Sequence, residues 1–272
     1  MTEGTKNELL SITESKIIEM TSSIDEVRGK LKMIENAQKR LSEKNIILNL
    51  ENTISLLEYR LFVGLLILDL ASTMRAYLNA KFKYEAIFAA RQIIVIIKEG
   101  YKKIYNFISQ NSQGAAITRN RNNSFWIKNI GRIIQKDLPN LQLEYDYLTN
   151  KLDNYLANNL NDIKYQRDLF IHYDDHPAIV YDSLLTLDID QTFRKLTPFL
   201  EILNNMFAFT NRLIFEYKEK LGKQNKSFET TVDDLILKLE ANKKPETIAS
   251  ISKVIDNLND IKNIFIKQSP NT

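Results

Sequence analysis

Both histidines of the chain fall in one short window, Arg167-Asp168-Leu-Phe-Ile-His172-Tyr-Asp174-Asp175-His176-Pro177. Histidine is the side chain best suited to moving protons near neutral pH. Arginine stays charged and offers a planar fork of donors to a phosphate. Asp168 and His172 are four residues apart, so on a helix they share a face, and the carboxylate can orient the imidazole and hold its charged form. Arg167 precedes His172 by five, about 140° round an ideal helix. The two converge on one phosphate if the helix ends near His172 or if a second copy of the helix packs against it. Tyr173, Asp174, Asp175 and Pro177 are compatible with such an end. The same window supports a second chemistry: His172 and His176 with Asp174 or Asp175 could ligate a divalent metal. Spacing of His-x-x-x-His needs a continuing helix, which Pro177 opposes.

Other chemistries are excluded or unsupported. The chain has no cysteine, which rules out disulfides, thiolate metal sites and a cysteine nucleophile. It has no GxxxxGK[ST], GxGxxG, GxSxG or HExxH pattern. With seven glycines in 272 residues it has little means of wrapping backbone amides round a phosphate.

The composition, 44% hydrophobic and 26% charged, is that of an ordinary globular protein. Scarce glycine and proline favour helices over a turn-rich β fold, and no stretch alternates with period two, so no sheet is expected. The polar N-terminus lacks a secretory h-region. The longest apolar run, Leu61–Leu68, is far short of the ~20 residues of a membrane helix. The expected setting is the cytoplasm, with no membrane. Net charge is +3, but it is unevenly placed. Residues 98–136 hold eight Lys or Arg against Glu99, a net +7, whereas residues 137–190 are net −8. The first stretch is a candidate anion-facing region.

Leu10, Ile17, Ile24 and Leu31, with the companion row Met20, Val27, Ile34 and Leu41, mark a long heptad-patterned helix over residues 1–49. Helices are expected over about 45–80 and 83–108, and a mobile, polar loop over 109–124. A short helix reaches Lys136 before Leu138-Pro139, and another covers about 140–172. Two further heptad rows run from Ile189 to Leu221. Pro198 is expected to start the regular helix there with Thr197 as cap, and Gly222 to stop it. Residues 222–272 read as a pair of shorter amphipathic helices. Trp126 and the Tyr84, Tyr101 and Tyr105 group read as core or interface aromatics. The fold class is therefore all-α: a multi-helix bundle over 50–221 with extra N- and C-terminal amphipathic helices.

An arginine, a polar residue, three further residues and a histidine, late on a helix of an all-helical bundle, resemble the motif of the HEPN (higher eukaryotes and prokaryotes nucleotide-binding) superfamily. Many of its members are metal-independent endoribonucleases of toxin–antitoxin and antiviral systems, working as dimers with two motifs at a shared cleft. The resemblance rests on six residues, 167–172. It implies that Arg167 binds and polarises the scissile phosphate, that His172 is general base or acid for attack by the ribose 2′-hydroxyl, and that Asp168 orients the site. It asks for no metal or cofactor and implies RNA as substrate, a homodimer, and an antitoxin-like neutralising partner. Because Asp162, Asp174, Asp175 and Asp182 surround the motif, basic residues such as Arg119, Arg121, Lys128 and Arg132 would have to line the RNA path. The rival expectation is a non-catalytic adaptor that dimerises through the heptad rows at 10–41 and 189–221.

Overall fold

The computed structural model describes residues 3–42, 50–105, 108–110, 116–119, 121–160, 177–241 and, near the C-terminus, 251–252, 254–256 and 259. In chain order these form α1 (Glu3–Ser42), α2 (Glu51–Leu78), α3 (Lys83–Ile104), a hairpin of β1 (Ile108–Gln110) and β2 (Ala116–Arg119), α4 (Arg132–Asp137), α5 (Gln142–Tyr155), α6 (Pro177–Leu185) and α7 (Ile189–Ala241). The all-α expectation holds. They divide into two compact units, residues 1–214 and 215–272, and α7 supplies residues to both.

The first unit is organised by α2. Its near-continuous apolar middle buries Leu56, Tyr59, Val63, Ile67 and Leu70, so it has neighbours on most sides. On one side lies α1, placed by its heptad pattern: Met20, Val27 and Leu31 are buried. Val27 and Leu31 cluster with Leu57, flanked by Ile34, Ile54, Leu61 and Ile214. The buried row extends back to Thr13, whose hydroxyl is satisfied by the Leu9 and Leu10 carbonyls. Gly64 lets the helices approach closely. A Cβ there would meet Ile24 at 3.2 Å and Phe207 of α7 at 3.3 Å. Arg60 of α2 ties the same three helices together. Its Nη2 donates to Ser23 Oγ at 2.8 Å, and its guanidinium lies 4.7 Å from the centre of the Phe207 ring. The N-terminal heptad helix thus contributes to the core of its own chain.

The start of α3 is capped by Glu85. Its carboxylate accepts from the Lys81 and Phe82 backbone N–H groups at 2.7 and 3.2 Å. Those bonds hold its pKa below the ordinary glutamate value. A depressed folded-state pKa contributes stability that is present above the unfolded value of about 4.3 and lost as pH falls through the folded value. Thermal melts should therefore show Glu85→Ala less stable than wild type at pH 7, with the gap closing toward pH 3. A gap that is constant with pH would contradict the cap.

An aromatic cluster joins α2, α5 and α7 around Trp126. A π-helical turn, Trp126–Gly131, leads directly into α4 and buries the indole. The indole stacks on Tyr145 at 4.7 Å between ring centres, with Tyr59 and Phe209 at 5.6 and 5.9 Å, and its Nε1 donates to Thr149 Oγ1 at 2.9 Å. Gly131 is required here: a Cβ would stand 2.6 Å from Tyr145 Oη.

Four expectations are corrected. The stretch expected to be a mobile loop contains a short antiparallel hairpin pairing Ile108 with Arg119 and Gln110 with Ala116. β-Branched Ile108, Ile117 and Thr118 favour extended backbone, but three or four residues are too few for a period-two pattern to show. Residues 177–185 form a helix beyond those expected, with Pro177 at its first position, where a missing N–H costs nothing. Pro198 does not start the long C-terminal helix but lies within it. The cap is Asp188, whose Oδ1 accepts from Gln191 N at 2.9 Å, while Thr197 Oγ1 bonds back to the Phe193 carbonyl inside the helix. Gly222 does not stop it either. The helix runs on to Ala241, and the first member of the expected C-terminal pair is simply its continuation. Helical backbone recurs at 251–252 and 254–256.

Candidate functional site

The motif Arg167, Asp168 and His172 lies outside the described residues, as do Asp162, Asp174, Asp175 and His176, so the metal alternative lies outside them too. What is described is the frame on either side. α5 is prolonged by a π-helical turn, Leu156–Leu160, immediately before the segment, and α6 starts immediately after it. Single π turns inserted in α-helices occur frequently at functional sites.

The C-terminal end of α5 is gripped from two sides. From α3, Tyr101 Oη donates to the Leu152 carbonyl at 3.1 Å and Tyr105 Oη to Asp153 Oδ1 at 2.7 Å. Tyr101 lies on the buried face of α3 with Ile97, and Tyr105, the residue that caps the helix C-terminus, is buried as well. Toward α7, Tyr155 Oη donates to the Lys195 carbonyl at 3.0 Å, and its ring stacks on Phe199 at 5.3 Å. Burial holds the Tyr155 phenol well above its ordinary pKa, so it remains a neutral donor. The result is a platform of three packed helices that ends, in the chain, directly before the motif-bearing segment.

Both gripping helices also carry a buried lysine: Lys98 on α3 and Lys195 on α7, 8% and 7% exposed. Arg91, a further cation of α3, is half-buried. Buried cations are rare unless compensated by anions. The two helices that flank the end of α5 thus each carry a buried lysine. Nothing in the sequence singles out these lysines, because each sits among ordinary helix residues and only packing shows that they are buried.

Of the four basic residues assigned to the RNA path, Lys128 and Arg132 are four apart on the π turn and α4 and are both exposed. Arg132 Nη2 pairs with Glu51 Oε1 at 3.3 Å. Arg119 ends β2 and Arg121 opens a 3-10 turn, Arg121–Asn123. The tyrosine group divides: Tyr101 and Tyr105 are core, whereas Tyr84 is exposed. No group of three or more His, Asp or Glu side chains suited to a metal occurs among the described residues. No helix among them is long and apolar enough to cross a membrane.

No family model matches the chain, and neither does any curated protein or solved structure.

Proposed function

We propose that the chain is a metal-independent endoribonuclease of HEPN type. Arg167 binds and polarises the scissile phosphate, His172 moves the proton of the attacking ribose 2′-hydroxyl, and Asp168 orients the imidazole. The observation that carries this reading is the spacing of Arg167, Asp168 and His172 in the one window that holds both histidines. Its structural support is the all-helical bundle and the clamped three-helix platform directly before that window. The chemistry needs no metal, because the nucleophile is part of the substrate and arginine meets the phosphate charge. Action as a homodimer, an antitoxin-like partner, and a growth-arrest or phage-defence role in the cytoplasm belong to the same proposal.

The test is incubation of mixed single-stranded RNA with the full chain in EDTA. The proposal expects cleavage leaving 2′,3′-cyclic phosphate and 5′-hydroxyl ends. Cleavage that requires a divalent metal, or ends of the opposite type, would refute it.

A non-catalytic adaptor is the second reading. The exposed Phe215, Leu235 and Leu237 on the part of α7 in the second unit favour it, since they leave apolar surface for another protein. It expects no cleavage under any condition, together with self-association abolished by Leu235→Glu/Leu237→Glu substitution.

A further inference from the structure

Where α2 meets α3, an open groove of about 720 Å³ runs between the two helices. Its α2 wall is made of small and polar residues, including Ser72, Ala76 and Asn79. Its α3 wall carries Tyr84, Phe88 and Gln92 at four-residue spacing, hence on one helix face. Tyr84 and Phe88 are 53% and 59% exposed, and Phe82, at the helix start, is 70% exposed. The aromatic surface continues onto α6, because Tyr84 Oη donates to Tyr181 Oη at 3.1 Å and Tyr181 is itself half exposed. Tyr181 stands nine residues after His172 in the chain.

Exposed aromatic side chains of this size lining one groove, as Tyr84 and Phe88 do, indicate a binding face, and the charge around them indicates for what. Residues 72–92 hold four bases, Arg75, Lys81, Lys83 and Arg91, and one acid, Glu85; Arg75 is paired with Glu14 of α1 at 3.0 Å, so the exposed Lys81 and Lys83 supply the positive charge here. The carboxylate of Glu85 is already committed to the Lys81 and Phe82 amides. Lys81 and Lys83 are exposed and alternate with Phe82 and Tyr84. Cations interleaved with open aromatic faces suit a strand whose backbone is anionic and whose bases are unpaired. A duplex would hide the faces that these rings can stack on. Asn79 and Gln92 add amides at the groove; the Asn79 amide nitrogen bonds the Arg75 carbonyl, which leaves its oxygen to accept from a base edge.

We infer that the α2–α3 groove, with Phe82, Tyr84, Phe88 and Tyr181, is a stacking platform for single-stranded nucleic acid. Lys81 and Lys83 meet the phosphates. The naming of that strand as the RNA substrate rests on the nuclease reading; the platform itself does not.

Binding of a fluorescein-labelled oligodeoxythymidylate, read by anisotropy, isolates this surface, because DNA lacks the 2′-hydroxyl that the proposed cleavage uses. Wild type is expected to bind, and Tyr84→Ala/Phe88→Ala to bind about ten-fold more weakly or worse. Lys81→Gln/Lys83→Gln should lower the slope of log affinity against log salt by about 0.7 for each phosphate that is no longer neutralised. All four side chains are exposed, and circular dichroism checks that the variants fold. No binding by wild type at ~10 μM, a concentration typical of non-specific nucleic-acid binding, would overturn the inference. So would equal affinity of the aromatic variant. Sedimentation velocity covers the other occupant: a dimer converted to monomer by Tyr84→Ala/Phe88→Ala, with oligonucleotide affinity unchanged, would assign the surface to a second copy and overturn it. Binding that behaves as expected without RNA cleavage would leave the platform standing and remove the nuclease reading. Cleavage without oligodeoxythymidylate binding would do the reverse.

Discussion

His172→Ala is expected to lower the rate of RNA cleavage in EDTA by about 100-fold or more, the span typical of removing a general acid or base. Arg167→Ala should cost a similar factor if, as proposed, it removes the cation facing the phosphate where charge develops. Arg167→Lys separates two contributions. Lysine keeps the charge but not the planar fork, so partial recovery would mean that charge dominates, and none that bidentate geometry does. Asp168→Asn should have a smaller effect than either, because it removes an orienting carboxylate and leaves both reacting groups in place. Circular dichroism checks that every variant folds as wild type does. Equal rates in wild type, His172→Ala and Arg167→Ala would place the activity elsewhere than at this motif.

The largest stability effect is expected at Trp126. The indole is fully buried against Tyr145, Tyr59 and Phe209, and its Nε1–H is bonded to Thr149. Truncating a buried aromatic to alanine costs about 3–5 kcal/mol through the transfer energy forgone and the cavity left behind. Against a typical total of about 5–15 kcal/mol, that is a large fraction of what holds a domain together. Trp126→Phe keeps a ring in the stack and removes the hydrogen bond, so a loss nearer 1–2 kcal/mol is expected. Urea unfolding followed by circular dichroism reads both. Trp126→Ala within about 1 kcal/mol of wild type would mean that this cluster does not organise the first unit.

Long periodic elements are the most legible in sequence. The row Met20, Val27, Ile34 of α1 is a packing face because its spacing matches the helix, and the apolar middle of α2 is buried because nothing polar interrupts it. Punctuation is less legible. Pro198 reads as a helix start, although Asp188 with Gln191 three residues on is the capping pattern that the structure uses. A proline removes one backbone bond, and α7 tolerates this because Leu196, Phe199, Leu203, Met206 and Phe207 are buried on either side of it. Gly222 fails as a stop for a related reason: glycine permits a left-handed cap but does not impose one. The hairpin is too short to show a period, and α6 is hidden behind a proline that reads as an ending. Residue types and spacing single out Arg167, Asp168 and His172 in the sequence, but these three lie outside the described residues. The buried Lys98 and Lys195 and the open Tyr84–Phe88 face are not legible in the sequence, since burial of a cation and exposure of an aromatic are decided by tertiary packing.

The most direct test of the central claim uses a single-stranded oligonucleotide that is 2′-deoxy at every position but one, incubated with the wild-type chain in EDTA. If the ribose 2′-hydroxyl is the nucleophile, the strand is cut once, on the 3′ side of the single ribose, and an all-deoxy control is untouched. Cleavage at deoxy positions, or an uncut chimera under conditions where the all-ribose strand is cut, would contradict the account.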